Sequence, residues 1–165
     1  DVGKWYSPES IVLDGCPLLN LTAWAIIYKE DYFNPEICKK AIQILSSGQD
    51  SIPKSDPMFE QFPELKTLKR LNLDRMRLPK AVVFIDTPTE TAIERIDKRG
   101  EERQVHETGE KLQKLREAYT VVCNVIAKDF KIPTAIIDGN KSINDITAEV
   151  ITFIGSVKNP EENHA

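Results

Sequence analysis

The sequence predicts an α/β fold of three layers, in which crossover helices cover a parallel sheet. Three short apolar runs rich in β-branched residues are typical of buried strands: Ile11–Leu13, Ala81–Ile85 and Thr134–Ile137. Helical patterns follow each run, and this alternation indicates parallel strands joined through helices. An acidic residue follows each run: Asp14, Asp86 and Asp138. Because ligands bind such sheets outside the carboxyl ends of the strands, these acids are predicted to lie at the binding edge.

The first third of the chain predicts two helices. Pro17 ends the first strand, because proline cannot extend the ladder. The helix that follows has a predicted apolar face: Leu21, Trp24, Ala25, Ile27 and Tyr28. A second helix is predicted to begin at Asn34-Pro35-Glu36 and to stop at Gly48.

A proline-rich segment separates these helices from the second strand. Gln49–Glu64 contains three prolines and is predicted to be a long loop with one helical turn around Met58–Phe62. A mobile surface loop is the favoured interpretation, and a functional loop is the alternative. Glu64–Asp74 then has a basic amphipathic pattern that places its leucines on a buried side.

Ala81–Gly100 is the stretch with the most chemical character. Its strand leads into Thr87-Pro88-Thr89-Glu90, which has the form of a capping box with proline at the first helical position. Arg95 and Arg99 lie four residues apart on one side of the predicted helix, and Arg103 follows. Arginine forks match phosphate oxygens in pairs, so these are candidate phosphate ligands. The alternative is a solvated basic face paired with nearby acids: Glu94, Glu101 and Glu102.

The last part of the chain carries the longest regular pattern. Apolar residues three and four apart predict one helix of about 20 residues: Leu112, Leu115, Tyr119, Val122 and Ile126. The third strand ends in Asp138-Gly139-Asn140, which favours a turn. A final helix is predicted after Ser142, with this inward face: Ile143, Ile146, Val150, Phe153 and Ile154. We expect one domain over residues 1–157 and a polar tail over residues 158–165.

Composition and charge argue against several function classes. The 165 residues carry a formal net charge of −4, which argues against general binding to nucleic acid or to an anionic membrane. No apolar stretch approaches the length of about 18–20 residues that a membrane span requires. The three cysteines lie far apart and have neither disulfide-framework nor metal-site spacing. We therefore predict a cytoplasmic protein without a metal site built from its cysteines.

Asp14 is the strongest single candidate for acid–base chemistry. A carboxylate at a strand end can accept a proton from a substrate hydroxyl, or hold a magnesium ion through water. The alternative is a turn cap, because Asp-Gly is a common turn dipeptide. Asp86 is a weaker candidate, since a cap at Thr87 would also account for it, and Asp138 fits turn chemistry.

The order of four segments resembles a known family. FIDTPTETAIERIDKRG followed by EKLQKLREAY resembles the later half of the thymidylate kinase and deoxyribonucleoside kinase family of P-loop phosphotransferases. AIIDGNKSINDI is similar to the family's segment beside the adenine base, and IVLDGCPLLNLTAW is similar to its earlier strand with an acidic-Arg pair. The resemblance covers about Ile11–Ile154 and is tight over Ala81–Ile154. Each motif is degenerate by itself, so the specificity of the resemblance comes from the order and spacing of the motifs.

The resemblance implies a P-loop NTPase-like fold and transfer of the γ-phosphate of ATP, with Mg²⁺, to a nucleoside or nucleoside monophosphate. Asp14 would be the base or an indirect metal ligand. Three arginines would stabilise the transferred group: Arg95, Arg99 and Arg103. Asn140 and Lys141 would line the adenine. Trp24 and Tyr28 are candidates for stacking on the acceptor, although core packing is the favoured interpretation for them.

Two departures from the family shape the functional prediction. The phosphate loop G-x-x-x-x-G-K-S/T is absent from the 165 residues, and so is the central strand that precedes it. Because the sequence begins at Asp1 rather than at methionine, we expect this part to precede the sequence. The alternative is a rearranged sheet in which the runs at Ile11–Leu13 and Ala81–Ile85 pair directly. The arginine expected after the acid is Gly15, which puts the binding of the acceptor in doubt.

Three hypotheses follow. The leading one is a nucleoside or nucleotide kinase-like phosphotransferase, represented by its portion after the phosphate loop and inactive as this portion alone. The second is a non-catalytic nucleotide-binding or partner-binding domain derived from the same fold. The third is a chain that completes its sheet with a second chain, for which a homodimer is one form.

Overall fold

The computed structural model describes residues 11–29, 34–47, 52–73, 75–100, 104 and 107–158. The helices and strands in that part of the chain are α1 (Pro17–Tyr28), α2 (Pro35–Ser47), α3 (Met58–Gln61), α4 (Glu64–Arg70), β1 (Val82–Asp86), α5 (Thr89–Arg99), α6 (Gly109–Asp129), β2 (Thr134–Asp138) and α7 (Ile143–Lys158). The predicted bounds of the domain, residues 1–157, and of the tail stay predictions, because residues 1–10 and 159–165 lie outside the described residues.

Strands β1 and β2 form a two-stranded parallel sheet in the part of the chain that the structure describes. The register pairs Val82 with Thr134 and Asp86 with Asp138. Both strands therefore lie where the apolar runs predict them, and α5 and α6 make the crossover between them. The complete three-layer arrangement stays a prediction.

The predicted strand at Ile11–Leu13 is wrong. These residues form no described strand, and their side chains are 50%, 86% and 63% exposed. The physical reason is that a strand is stable only when a neighbour pairs with its backbone. β1 pairs with β2 on one edge and has no described strand on the other edge.

The buried core lies mainly where α1 and α2 pack against α6. Leu18 and Ala23 of α1, Ile42 of α2, and Val122 and Ile126 of α6 are almost completely shielded from solvent. The long helix is confirmed, because α6 has 21 residues and buries the C-terminal half of its apolar stripe. Burial of this kind contributes about 1.5–3 kcal/mol for each large aliphatic side chain.

The predicted buried face of α1 is correct only in part, since Ala25 and Ile27 are half-buried against the core. Its buried residues are Leu18, Leu19, Thr22 and Ala23. Leu21 and Tyr28, which the sequence placed on the buried side, are exposed. Because α1 is apolar on nearly all sides, periodicity cannot identify the buried face, and contact with α2 and α6 decides it.

The proline-rich segment packs its apolar side chains into the core over its described part, so the favoured prediction of a surface loop is wrong for those residues, and the predicted mobility stays a prediction. Met58, Phe59 and Phe62 are buried, and the predicted helical turn is α3. Asp56 fixes the approach to α3, since its carboxylate accepts from the Met58 amide at 3.0 Å and from Lys40 at 2.9 Å. The hydrogen bond from the Met58 amide has the largest effect on the pKa of Asp56, and together with the bond from Lys40 it lowers that pKa below its ordinary value. Residues 48–51 lie outside the described residues.

The two remaining amphipathic predictions hold only in part. α4 buries Leu65, whereas Leu71 and Leu73 beyond its end are exposed. On α7, Ile143 is exposed and Phe153 is half-buried. No helix within the described ranges is long and apolar enough to cross a membrane.

Candidate functional site at the carboxyl edge of the sheet

The carboxyl ends of β1 and β2 meet at one edge, as parallel strands require. Asp86 and Asp138 are register partners at that edge. The Gly139 amide donates to the Asp86 carbonyl at 2.8 Å, so the turn after β2 is joined directly to the end of β1. Asp138 has the predicted turn role, because its carboxylate accepts from the Asn140 amide at 2.9 Å.

Gly139 is required for this close approach. A Cβ atom added there would lie 2.1 Å from Thr87 Oγ1 and 2.9 Å from Thr87 Cα. The second distance is to a backbone atom, so rotation of the Thr87 side chain cannot relieve it. The absence of a side chain at residue 139 therefore sets the spacing between the two strand ends.

Asp86 is paired with Arg116 of α6. Arg116 Nε donates to Asp86 Oδ1 at 2.5 Å, and Arg116 Nη2 donates to Asp86 Oδ2 at 2.9 Å. The hydrogen bonds from Arg116 lower the pKa of the Asp86 carboxyl below its ordinary value and raise the pKa of Arg116. Two parallel charge-assisted bonds of this kind fix both side chains. They also tie the end of β1 to the middle of α6.

The predicted capping box at the start of α5 is wrong. The N-cap position is Pro88, and no side chain caps the helix. Two threonines of the first turn bond to other elements instead. Thr89 donates to Gln113 Oε1 at 2.8 Å, and Thr91 donates to Asn140 Oδ1 at 2.8 Å. Tertiary partners therefore hold the start of α5, and the local motif does not.

Arg95 and Arg99 both have partners within the fold. Arg95 Nη2 donates to the Gly139 carbonyl at 2.8 Å. Arg99 Nη2 lies 3.1 Å from each carboxylate oxygen of Glu107, which is buried. Glu107 also accepts from the Gln104 amide at 2.6 Å. The expected partners of these arginines were phosphate oxygens or the acids at 94, 101 and 102. Arg103 lies outside the described residues.

Asn140 and Lys141 lie on the exposed surface beyond β2. Besides its contact with Thr91, Asn140 forms the turn with Asp138. Lys141 Nζ lies 2.6 Å from Glu149 Oε1, and this bond raises the pKa of Lys141 above its ordinary value. The two residues are therefore at the carboxyl edge, and their role beside the adenine stays a prediction.

The aromatic candidates lie in α1, and Asp14 lies just before it. Asp14 is exposed in the bend before α1, and Gly15 has a φ of +68° there. Trp24 and Tyr28 stack on each other with ring centroids 5.8 Å apart, and Tyr28 is 75% exposed. Core packing, the favoured interpretation for the pair, is therefore wrong for Tyr28. Among the described residues, no hydrogen bond or ion pair joins Asp14 to Asp86 or Arg116.

The acids can be tested against the needs of magnesium. Mg²⁺ is usually bound by one or two carboxylates together with substrate phosphates. Exposed Asp14 fits this use better than Asp86, whose two oxygens both accept from Arg116. The described part of the chain contains no group of three or more metal-ligating side chains.

Comparison with known proteins identifies the family. The Thymidylate kinase family model matches residues 55–150, which is more than half of the chain. The chain belongs to the thymidylate kinase family. The match includes β1, α5, α6, β2 and the first half of α7, and so the whole carboxyl edge described above. Asp14, Trp24 and Tyr28 lie before it.

Two curated relatives from the thymidylate kinase family match the chain. Both are named thymidylate kinase and come from Leptospira interrogans serogroup Icterohaemorrhagiae, one from serovar copenhageni (strain Fiocruz L1-130) and one from serovar Lai (strain 56601). Each is 33% identical over 97 residues, which is 58% of this chain and 44% of the relative. The chain thus matches less than half the length of these relatives. No solved structure matches it significantly.

Sequence reasoning about this thymidylate kinase family member missed Arg116. The residue stands in the Leu/Tyr pattern of α6, one turn before Tyr119. A charge on the apolar stripe of a helix is a signal that it meets a buried or edge partner. Its partner Asp86 lies 30 positions earlier, and only the fold brings the two together.

Proposed function

We propose that the chain is the portion after the phosphate loop of a nucleotide or nucleoside kinase-like phosphotransferase. The observation that carries the proposal is the family match over residues 55–150, which coincides with the elements that build the carboxyl edge. The intact protein would move the γ-phosphate of ATP, with Mg²⁺, to a small acceptor such as a nucleoside or nucleoside monophosphate. Transfer of this kind depends on positioning and on positive charge over the migrating group.

The roles of individual residues follow from the resemblance. Asp14 is the proposed base or indirect magnesium ligand, and its exposure leaves it accessible to both uses. The positive charge over the phosphates is proposed to come from Arg95, Arg99 and Arg103. Asn140 and Lys141 would line the adenine. Trp24 and Tyr28 would stack on the acceptor, and the exposed ring of Tyr28 supports this use.

The missing phosphate loop would lie beside β1. Parallel strands are normally buried on both sides, whereas β1 has no described neighbour on one edge and its Ile85 is 46% exposed. We propose that a strand carrying the phosphate loop pairs with this edge and completes the three-layer sheet. A second copy of the chain is the competing occupant. Sedimentation of the purified chain separates the two, because a well-folded monomer counts against a homodimer built on this edge.

The test compares two proteins in an assay that couples ADP release to a colour change. The first is residues 1–165, for which we expect no ATP-dependent transfer to thymidine or thymidine monophosphate. The second is the product of the whole reading frame that contains these residues, for which we expect transfer. Transfer by the first protein would refute the claim that a phosphate loop is missing. A reading frame without a G-x-x-x-x-G-K-S/T segment before Asp1 would refute the kinase assignment.

In the second protein, Asp14→Asn tests the acid. A positioned general base contributes about 10²–10⁴-fold to the rate, so we expect a loss of that order. Asp138→Asn is the matched control, since it removes an equivalent charge from a residue with a turn role. An Asp14→Asn enzyme with the turnover of the control would exclude Asp14 from the chemistry.

A non-catalytic nucleotide-binding domain is the second candidate. Two observations favour it: Gly15 stands where the family has arginine, and Arg95 and Arg99 bond to groups of the fold itself. Calorimetric titration with ATP separates the candidates. Saturable binding without turnover by the whole reading-frame product would support this second candidate.

A further inference from the structure

Arg116 holds its guanidinium in a fixed orientation while part of it stays available. Its Nε and one N–H of Nη2 bond to Asp86, which leaves both N–H groups of Nη1 and the second of Nη2. Among the described residues, Asp86 is the only hydrogen-bond partner of this side chain, and the side chain is 33% exposed. The end of the guanidinium therefore keeps a second fork of donors at the carboxyl edge of the sheet.

Arg116 differs from Arg95 and Arg99 in how its guanidinium is held. Arg95 donates to a carbonyl of the turn through Nη2, and Arg99 donates to both oxygens of the buried Glu107 through Nη2. Arg116 donates to Asp86 through two nitrogens, and two parallel bonds of this kind fix the plane of the guanidinium. Arg116 can bind an anion through its end fork and keep both of its bonds to Asp86.

We propose that Arg116, held by Asp86, binds a phosphate group of a polyphosphate ligand at the carboxyl edge of the sheet. The inference deepens the proposed function and rests on it for the identity of the ligand as a nucleotide. Asp86 acts as a positioning residue, because it fixes the direction of the fork before the ligand arrives. Such preorganisation reduces the entropy that binding would otherwise cost.

The local charges allow orientation to be separated from simple attraction. Asp86 neutralises Arg116 and has the largest effect on its pKa. The negative charges of Glu90 and Glu117 are also near enough to raise the pKa of Arg116, by smaller amounts. A site that depended on net charge would bind anions better after any of these acids is neutralised. A site that depends on a held fork would bind less well without Asp86 and better without Glu90.

The experiment titrates the whole chain with inorganic tripolyphosphate and follows the arginine Nε–H signals by NMR, with Arg116→Gln used to assign the Arg116 signal. We expect saturable binding that shifts this signal. Arg116→Gln should weaken binding by about tenfold, the loss typical of one charge-assisted contact. Arg116→Lys keeps the charge without the fork and should also weaken it. Lys128→Gln, at the far end of α6, is the charge-matched control and should have little effect.

Two further variants decide between orientation and attraction. Asp86→Asn should weaken binding although it removes a negative charge, and Glu90→Gln should strengthen it about two- to threefold, as expected for one nearby screened charge. Circular dichroism of each variant confirms that it is folded. Absence of saturable binding, unchanged binding by a folded Arg116→Gln protein, or tighter binding by Asp86→Asn would overturn the proposal.

The same titration with ATP keeps this inference distinct from the proposed function. If tripolyphosphate binds through Arg116 and ATP binds no more tightly, the Arg116 site stands and the nucleotide assignment fails. If ATP binds and Arg116→Gln does not change its affinity, the nucleotide assignment stands and the Arg116 site fails.

Discussion

Substitution of Gly139 by alanine is the sharpest test of the packing at the sheet edge. The new Cβ would lie 2.9 Å from Thr87 Cα, so the backbone there must move by about 0.5 Å to reach an ordinary contact of 3.4 Å. That movement also opens the 2.8 Å bond from the Gly139 amide to the Asp86 carbonyl. Overpacking costs about 1–3 kcal/mol and a weakened hydrogen bond about 0.5–1.5 kcal/mol, so we expect a loss of about 2–4 kcal/mol in the free energy of unfolding.

Urea unfolding followed by far-UV circular dichroism measures this loss. Gly155→Ala is the matched control, because a Cβ at that position of α7 meets nothing within 4 Å. Alanine inside a helix is favoured over glycine by about 0.5–1 kcal/mol, so the control should gain stability. The same chemical change is thus expected to have opposite signs at the two sites.

A double variant locates the clash. Thr87→Ala removes the hydroxyl that would lie 2.1 Å from the new Cβ, but it leaves the backbone contact. In the Gly139→Ala background it should therefore recover part of the lost stability and not all of it. A Gly139→Ala protein within about 0.5 kcal/mol of the wild type, the scatter usual for neutral surface changes, would refute the reasoning.

Three further predictions concern the ion pair, a helix cap and the buried thiols. Arg116 lowers the pKa of Asp86 in the folded state, so the pair stabilises the fold above the ordinary carboxyl pKa, and this contribution is lost as pH falls through the lowered pKa. Urea midpoints measured from pH 6 to pH 3 should therefore fall less steeply for Asp86→Asn than for the wild type, and parallel curves would contradict this. Thr108→Ala removes the N-cap of α6, whose hydrogen bond from the Lys111 amide is long at 3.4 Å, and should lower the free energy of unfolding by about 0.5–1 kcal/mol. Thr108→Ser should lower it less, and equal urea midpoints for the two variants would contradict the cap. Burial raises the pKa of Cys38 to about 12 and that of Cys123 to about 11, so both thiols should react with Ellman's reagent only on unfolding. Fast reaction of all three cysteines in the native protein would contradict the burial of these two thiols.

The elements that could be predicted are those that a local pattern determines. The apolar runs of β1 and β2 and the stripe of α6 each hold enough residues of one periodicity to identify the element without its neighbours. The run at Ile11–Leu13 has the same composition and is not a strand, because a strand also needs a paired neighbour. The sequence pattern indicates which residues favour a strand, and pairing with a neighbouring strand determines whether the strand forms.

The buried faces were harder to predict where apolar residues surround a helix. On α1 the pattern favours the side of Leu21 and Tyr28, whereas packing against α6 buries Leu18 and Ala23. The segment at Met58–Phe62 looks like a surface loop because of its prolines and polar neighbours. It is buried because its aromatic side chains fill the core, and burial of about 150–250 Å² per aromatic residue outweighs the loop composition.

The arginines show why a site is harder to predict than a strand. Spacing in the sequence identifies Arg95 and Arg99 as a pair on one side of α5. In the structure Arg95 bonds to the turn at the sheet edge, and Arg99 bonds to Glu107 before α6. The spacing in the sequence does not reveal the partners of these two arginines, which lie 44 and 8 positions away. Donors that bond to the fold are held in place, but they are available to a ligand only if those bonds break or if donors are left over.

How each guanidinium is held therefore ranks the candidate anion ligands, which charge alone cannot do. Arg95 and Arg99 each donate to a partner in the fold through Nη2, whereas Arg116 donates to Asp86 through both Nε and Nη2 and so has a fixed orientation. Arg116 keeps a complete fork while both of its bonds to Asp86 persist. If the chain binds phosphate at this edge, loss of Arg116 should weaken binding more than loss of Arg95, and loss of Arg99 should lower stability before it lowers affinity. Measured affinities and urea midpoints for the three Arg→Gln variants test this order, and equal losses of affinity at all three positions would mean that charge alone determines binding.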